Sequence, residues 1–471
     1  MRINLRKLAH LAAAGAVMLA LSVVGSAYGA PQAREAAAIP GSFSSAVVVS
    51  NSGATVANVS MTFVKSDGTG ALAAPLTFQV NPGASVNQYV PNIAGLADGR
   101  YAVLIDSDVP VTAIANLKSL SPSLSTSYNG IAQAATSMRV SVPQVFKSYV
   151  GLYTTSIVIQ NAGSLATTAT LTYTGSGTTV TEQKTIPANA SVTVDNALTP
   201  GMPNGFSGSA VVTADQPLAL IFMVSSTANQ LAAGSGVAGG TTSVYLPALY
   251  NYYAGQYRSA IVVQNVDTVS TTVRVDYYDA ATRALVYSET QGIAAGASGR
   301  PFLQFNAAAP GSAQGGLRAG FIGSAVVTSL EGKNIVAVVN MEQPNLGYLE
   351  SYVGFPASTA TSTANCASIL NNYYNFNTFL TVQNVGAAAT DVTITYKNPS
   401  GTTVSTKTVN LPANGVAGQY TPTQSGTAPG AIVYSAVVQG GAGSQIVAMV
   451  NQQEGLGLAG DVLQVYACSN S

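Results

Sequence analysis

Histidine is the side chain best suited to moving protons or holding a metal near neutral pH, and this chain of 471 residues has one, His10. It stands inside an N-terminal stretch that reads as a removable leader. Without it, a Ser-His-Asp or Cys-His nucleophile and a histidine-ligated metal have no imidazole to use. Paired carboxylates for sugar hydrolysis need only Asp and Glu, of which there are 18. Yet Asp67, Asp108 and Asp215 fall in predicted turns, where capping accounts for them. Asp106 and Asp108 together offer a calcium ion hard oxygens, but only one stretch of the chain carries such a pair. Cys366 and Cys468 lie 102 positions apart, without the close spacing or histidines of a redox or metal pair. In an exported chain they are expected to form a disulfide, contributing roughly 4 to 5 kcal/mol in the chain-entropy account. No catalytic residue, cofactor or metal site is expected.

Two other groupings are candidates for binding. Gly205-Phe206-Ser207-Gly208-Ser209 and Gly320-Phe321-Ile322-Gly323-Ser324 have glycines that a phosphate cradle would use ahead of a helix. A β-branched strand follows each, so a tight turn is expected there instead. Tyrosine gathers at Phe146-Lys147-Ser148-Tyr149, Tyr250-Asn251-Tyr252-Tyr253 and Asn372-Tyr373-Tyr374. These rings either pack where one unit meets the next or stack on a glycan, with Tyr149, Tyr252, Tyr253, Tyr373 and Tyr374 as the ligand candidates. The absence of tryptophan favours packing.

The elements that position these residues repeat. Val47-Val48-Val49-Ser50-Asn51, Ile157-Val158-Ile159-Gln160-Asn161, Ile261-Val262-Val263-Gln264-Asn265 and Leu380-Thr381-Val382-Gln383-Asn384 each read as a buried strand closed by a turn-capping Asn. The asparagines stand 110, 104 and 119 residues apart, about one domain each. Eight residues before each comes an aromatic: Phe43, Tyr153, Tyr257 and Phe376. Beyond each comes an alternating run, such as Val59-Met61-Phe63 and Val273-Val275-Tyr277, which predicts a strand with one face on a core. A second recurring residue (Asn116, Asn340, Asn451, with Ser225 in the other unit) is likewise expected to cap a turn. About seven short strands per unit, separated by turns, predict an all-β immunoglobulin-like sandwich.

Read in order, residues 1–29 form a signal peptide with Arg2, Arg6 and Lys7 ahead of an apolar run, cleaved after Ala27 or Gly29. That run is shorter than the roughly 20 residues of a membrane span, and no later stretch is long enough. Residues 30–40 are a linker. The units are 41–142, 143–246, 247–364 and 365–471, the last holding both cysteines. Loss of the leader leaves 15 basic and 18 acidic residues, a nearly neutral surface. Nucleic acid, which needs clustered Lys and Arg, is excluded as a partner; low net charge favours self-association.

Tyr-Tyr-x-Gly-x-Tyr, Val-Gln-Asn-x-Gly and Gly-Phe-x-Gly-Ser-Ala-Val-Val together resemble the tandem sandwich repeats of bacterial secreted and cell-surface proteins, over about 41–468. The resemblance implies location and build. The first unit departs from it, with Gly-Arg-Tyr-Ala-Val in place of the last motif, so its junction is expected to differ. The expected protein is thus a secreted, non-enzymatic rod of four sandwiches, roughly 150 Å long at strand dimensions. It would serve in a sheath, fibre or matrix through contacts with itself or other surface proteins. The alternative is an adhesin that binds glycans through end loops or the tyrosine junctions.

Overall fold

Each of the four recurring asparagines is fully buried and ties two layers of its own repeat together. Asn265 Nδ2 donates to the carbonyls of Val269 (2.7 Å) and Ile293 (3.3 Å), while Oδ1 accepts from Asp267 N (3.0 Å). Asn51, Asn161 and Asn384 do the same with Thr55 and Val80, Leu165 and Ile186, and Ala388 and Leu411. One bond closes the turn that follows; the other reaches the end of a strand in the facing layer. An amide is suited to this because it donates twice and accepts at once.

The computed structural model describes residues 17–21, 39, 41–254, 256–305, 317–430, 433–455 and 460–470. The rest of the leader, nearly all of the linker and the loop at 306–316 lie outside the described residues. Every repeat contributes two β layers. The back layer of repeat 1 runs in the order Ser85–Tyr89, Phe43–Asn51, Val111–Leu120, Ser123–Asn129. Its front layer runs Leu76–Val80, Ala57–Val64, Tyr101–Ser107, Val17–Leu21, Ile131–Ala132, so five residues of the expected leader stand where Ser137–Lys147, Ser243–Tyr253 and Thr363–Ile369 stand in the other blades. All pairs are antiparallel. In repeat 2 the single strand Phe206–Ser226 serves both layers, and in repeat 3 the hairpin of Ser243–Tyr253 with Tyr257–Asn265 joins them.

The repeats do not form a rod of immunoglobulin-like sandwiches. They close into a ring with a four-bladed β-propeller architecture, each repeat one two-layered blade. Ser123–Asn129, Gln230–Ser235, Tyr348–Val353 and Leu463–Ala467 pack against one another in turn around the axis, the fourth returning to the first. The resemblance to tandem sandwich repeats is overturned by the same contacts. The cause lies in the back layers. Val47-Val48-Val49, Ile157-Val158-Ile159, Ile335 to Val339 and Ile446 to Val450 are buried at every position. A sandwich strand shows one face to water, whereas an unbroken apolar run needs cover on both. The next blade supplies it: Val158, Ile221 and Met223 of blade 2 complete the core of blade 1, and Val48 and Ile114 of blade 1 complete that of blade 4.

The glycine-serine motif acts between blades. Gly208 and Gly323 let the neighbouring strand approach so closely that a Cβ would fall 2.3 Å from Thr174 O and 2.0 Å from Tyr278 O. The serines that follow, Ser209, Ser324 and Ser435, donate to the carbonyls of Gly296 (3.3 Å), Asn414 (3.2 Å) and Gly83 (2.6 Å) in the next blade. Each acceptor is the left-handed residue of the equivalent turn. Ala102 holds the serine's position in blade 1, where Arg100 instead reaches Thr193 Oγ1 at 3.4 Å. Cys366 and Cys468 are joined in a disulfide, and among the described residues no helix is long and apolar enough to cross a membrane.

Asn265→Ala removes the partner of the Val269, Ile293 and Ala294 carbonyls and of the Asp267 N–H. Urea unfolding is expected to show a loss of about 2 to 3 kcal/mol; a loss below about 0.5 kcal/mol would contradict the role given to this side chain.

Candidate functional site

The tyrosine stretches are hairpins within a blade, joining its first strand to its second, rather than linkers between units. Each abuts the blade that follows. In blade 3, Tyr250 stacks on Tyr253 with centroids 5.8 Å apart and tilts against Tyr257 at 6.0 Å. In blade 2, Phe146, Tyr149 and Tyr153 repeat the arrangement at 5.1 and 6.3 Å. In blade 4, Tyr373 and Tyr374 meet edge to face at 4.7 Å, and Tyr374 is 78% exposed. The hairpins hold non-glycine residues at positive φ, Tyr252 (50°) and Ala254 (50°) in blade 3 and Tyr374 (45°) in blade 4. Such strain persists only where surrounding contacts enforce it.

Between blades 3 and 4 these rings line a cleft of about 550 Å³. Tyr250, Tyr253 and Tyr257 form one wall; Asn377, Tyr420 and Gln453 form the other. Tyr253 and Tyr420 remain 37% and 39% exposed, so ring surface is open to a ligand. Tyr257 OH donates to Gln453 Oε1 at 2.5 Å, and Asn451 Nδ2 donates to Tyr250 OH at 3.2 Å. Burial pushes the Tyr257 hydroxyl up to about 12 and raises Tyr250 further. Both therefore stay protonated, as donors, at any physiological pH. A larger groove of about 730 Å³ on blade 1 is lined by Ala71 to Leu76 and Asn87 to Tyr89. It brings the amides of Asn87, Gln88 and Asn92 but one aromatic ring, against five rings in the cleft, so the cleft is the stronger candidate.

The other sequence candidates are placed elsewhere. Phe43 and Phe376 are core residues. The carboxylate of Asp67 accepts from Thr69, that of Asp108 from Asn58, and that of Asp215 from Thr167 Oγ1. Asp215 lies within a strand rather than a turn. No group of three or more His, Cys, Asp or Glu side chains suited to a metal occurs among the described residues. Asn116, Asn340 and Asn451 cap no turns: they sit mid-strand opposite Ala46, Ala260 and Phe379, and register puts Met223, not Ser225, in the equivalent place.

Two residues that the sequence did not single out form the second notable cluster. Glu350 and Asp461 are wholly buried where the four inner strands meet. Asp461 Oδ2 accepts from Leu231 N (2.8 Å) and Leu349 N (3.2 Å), in blades 2 and 3. Glu350 accepts from Thr126 Oγ1 at 2.9 Å in blade 1, and from the backbone N–H groups of Ser127 and Ala233 in blades 1 and 2. The four inner strands carry no Lys, Arg or His. Burial raises both carboxyl groups well above the usual range, and at Glu350 the nearby Asp461 adds to it. Sealed from solvent and surrounded by N–H donors, the pair ties the blades together and has no access for a substrate. For Glu350 the signal was an acid standing alone within the otherwise uncharged strand Tyr348–Val353.

No protein-family model and no curated protein matches the chain. Among solved structures, "Crystal Structure of Thermotoga maritima 1070" is 15% identical, with 21% of this chain and 93% of that chain covered at a TM-score of 0.19. A second, described as a "tetra-tandem repeat in extending region of large adhesion protein", is 13% identical, with 91% and 94% covered at a TM-score of 0.11. Neither score is high enough to bear on fold or function.

The buried acids set a pH dependence. A carboxyl raised on folding stabilises fully below its unfolded value, near 4, and that contribution is lost as pH rises through the folded value. Glu289, pushed up to about 7 by burial in blade 3, acts in the same sense as Glu350 and Asp461. The melting temperature is therefore expected to fall between pH 5 and pH 8, and Glu350→Gln to flatten that fall. A melting temperature that rises over this range would contradict the assignment.

Proposed function

We propose that this chain is an exported, non-enzymatic surface protein that binds uncharged glycans through the tyrosine cleft between blades 3 and 4. The observation that carries the reading is the lining itself. Partly exposed tyrosine rings face the side-chain amides of Asn377 and Gln453 across a concave gap. A pyranose offers an apolar C–H face and a rim of hydroxyls; aromatic rings take the first, and amides and phenols hydrogen-bond the second. The one charged side chain at the rim, Glu454, is held by Lys118 at 2.8 Å, which leaves the cleft without a free charge. The disulfide in blade 4 and the leader composition support export.

A panel of immobilised neutral glycans tests the reading. The protein is expected to be retained on some of them, and Tyr253→Ala to weaken retention at least about tenfold, near 1.4 kcal/mol. No retention, with concentration-dependent assembly in light scattering instead, would favour a matrix or sheath component. Retention that Tyr253→Ala leaves untouched would move the site elsewhere.

A further inference from the structure

The cleft is one of several equivalent places in the ring, and comparing them shows why it is open. In every blade, the residue seven before the recurring Asn pairs across the back layer with a residue of the strand beside it. These cross-strand pairs are Ser44 with Lys118, Thr154 with Ser225, Arg258 with Glu342, and Asn377 with Gln453. The aromatic hairpins of blades 2, 3 and 4 each pack onto the pair of the blade that follows.

Blades 2 and 3 present nearly the same rings. Phe146, Tyr149 and Tyr153 stand 15, 12 and 8 residues before Asn161, as Tyr250, Tyr253 and Tyr257 do before Asn265. What they face is different. Arg258 Nε bonds Glu342 Oε1 at 2.6 Å, and its guanidinium lies 4.2 Å from the centroid of Phe305. Ser137–Lys147, which carries Phe146, packs on Tyr257–Asn265 and Ile335–Gln343, the strands of that ion pair, and burial, with Glu342 adding to it, pushes the Tyr153 hydroxyl up. At the junction of blades 4 and 1, Lys118 fills the corresponding place, bonded to Glu454 at 2.8 Å and lying 4.8 Å from the centroid of Phe376. Between blades 3 and 4 the pair is two amides, and the Gln453 amide is engaged by Tyr257 OH.

We infer that the uncharged Asn377–Gln453 pair is the specificity determinant of the cleft: it leaves open a site that long charged side chains fill at the neighbouring junctions, and it selects a neutral oligosaccharide over a uronate-containing one. This deepens the proposed function and rests on it. Arginine and glutamate in a mutual ion pair occupy the volume that sugar would take. Asn and Gln keep both donors and acceptors, and Asn377 is far shorter than the arginine at the equivalent place. An anionic sugar would find no free cation at the rim, because Lys118 is already bonded to Glu454.

The test is calorimetric titration of the full chain with cellotetraose, mannotetraose and chitotetraose, with tetragalacturonate as the anionic probe. The wild type is expected to bind at least one neutral tetramer at a single site and tetragalacturonate at least about tenfold more weakly. Asn377→Arg with Gln453→Glu is expected to abolish binding while circular dichroism and melting stay close to wild type. Arg258→Asn with Glu342→Gln is expected to open the blade 2–3 junction and raise the stoichiometry from one to two, a gain that misfolding cannot produce. If a double variant does not fold, Asn377→Arg alone and Arg258→Asn alone give the same two readouts. Unchanged binding by the folded Asn377 variants, a stoichiometry that stays at one, or equal affinity for tetragalacturonate would each overturn the inference and leave the glycan reading standing. Failure of the wild type to bind any neutral tetramer would remove both.

Discussion

Everything in this ring depends on what happens at its axis, where four strand edges meet without water. An inner edge presents a row of N–H and C=O groups, and burying them unpaired costs more than most packing contacts return. Two carboxylates resolve this. Asp461 collects N–H groups from blades 2 and 3, and Glu350 collects a hydroxyl and N–H groups from blades 1 and 2. No lysine or arginine stands in those strands to balance them, so proton uptake rather than an ion pair relieves the burial. Removing one member of such a network leaves its donors stranded. The acids therefore matter less as charges than as acceptors shared among blades.

Closure at the axis dictates the rest of the junctions. Once the inner edges are fixed, the front layer of each blade must lie on the back layer of the next. That is why the apolar runs of the back layers are buried on both faces, and why Ser209, Ser324 and Ser435 find the same left-handed turn residue one blade on. It also brings the aromatic hairpins of blades 2, 3 and 4 against the cross-strand pair of the blade that follows. A binding cleft then requires no new fold element. It requires only that one of these repeated contacts be filled less completely than the others.

Much of the single blade was legible in the sequence. The asparagines at 51, 161, 265 and 384 stood out by spacing, and alternation such as Val273-Val275-Tyr277 marked strands with a core face. The ring was not legible, because alternation describes one strand against one core and is the same in a sandwich and in a blade. The clue lay in runs that do not alternate: Leu218 to Val224 is apolar throughout and buried throughout, which a free-standing sandwich could not satisfy. Glu350 and Asp461 were invisible to any search for paired motifs, since 111 residues separate them and only closure brings them together. For the cleft, the tyrosines were readable. The pairing of Asn377 with Gln453 was not, because it follows from strand register.

The central claim is that the fourth blade closes on the first. Small-angle scattering measures this directly. A closed ring of 471 residues should have a radius of gyration of about 23 Å, that of a single compact body. Four repeats strung end to end over roughly 150 Å would give about 43 Å, and a value near that figure would contradict the ring.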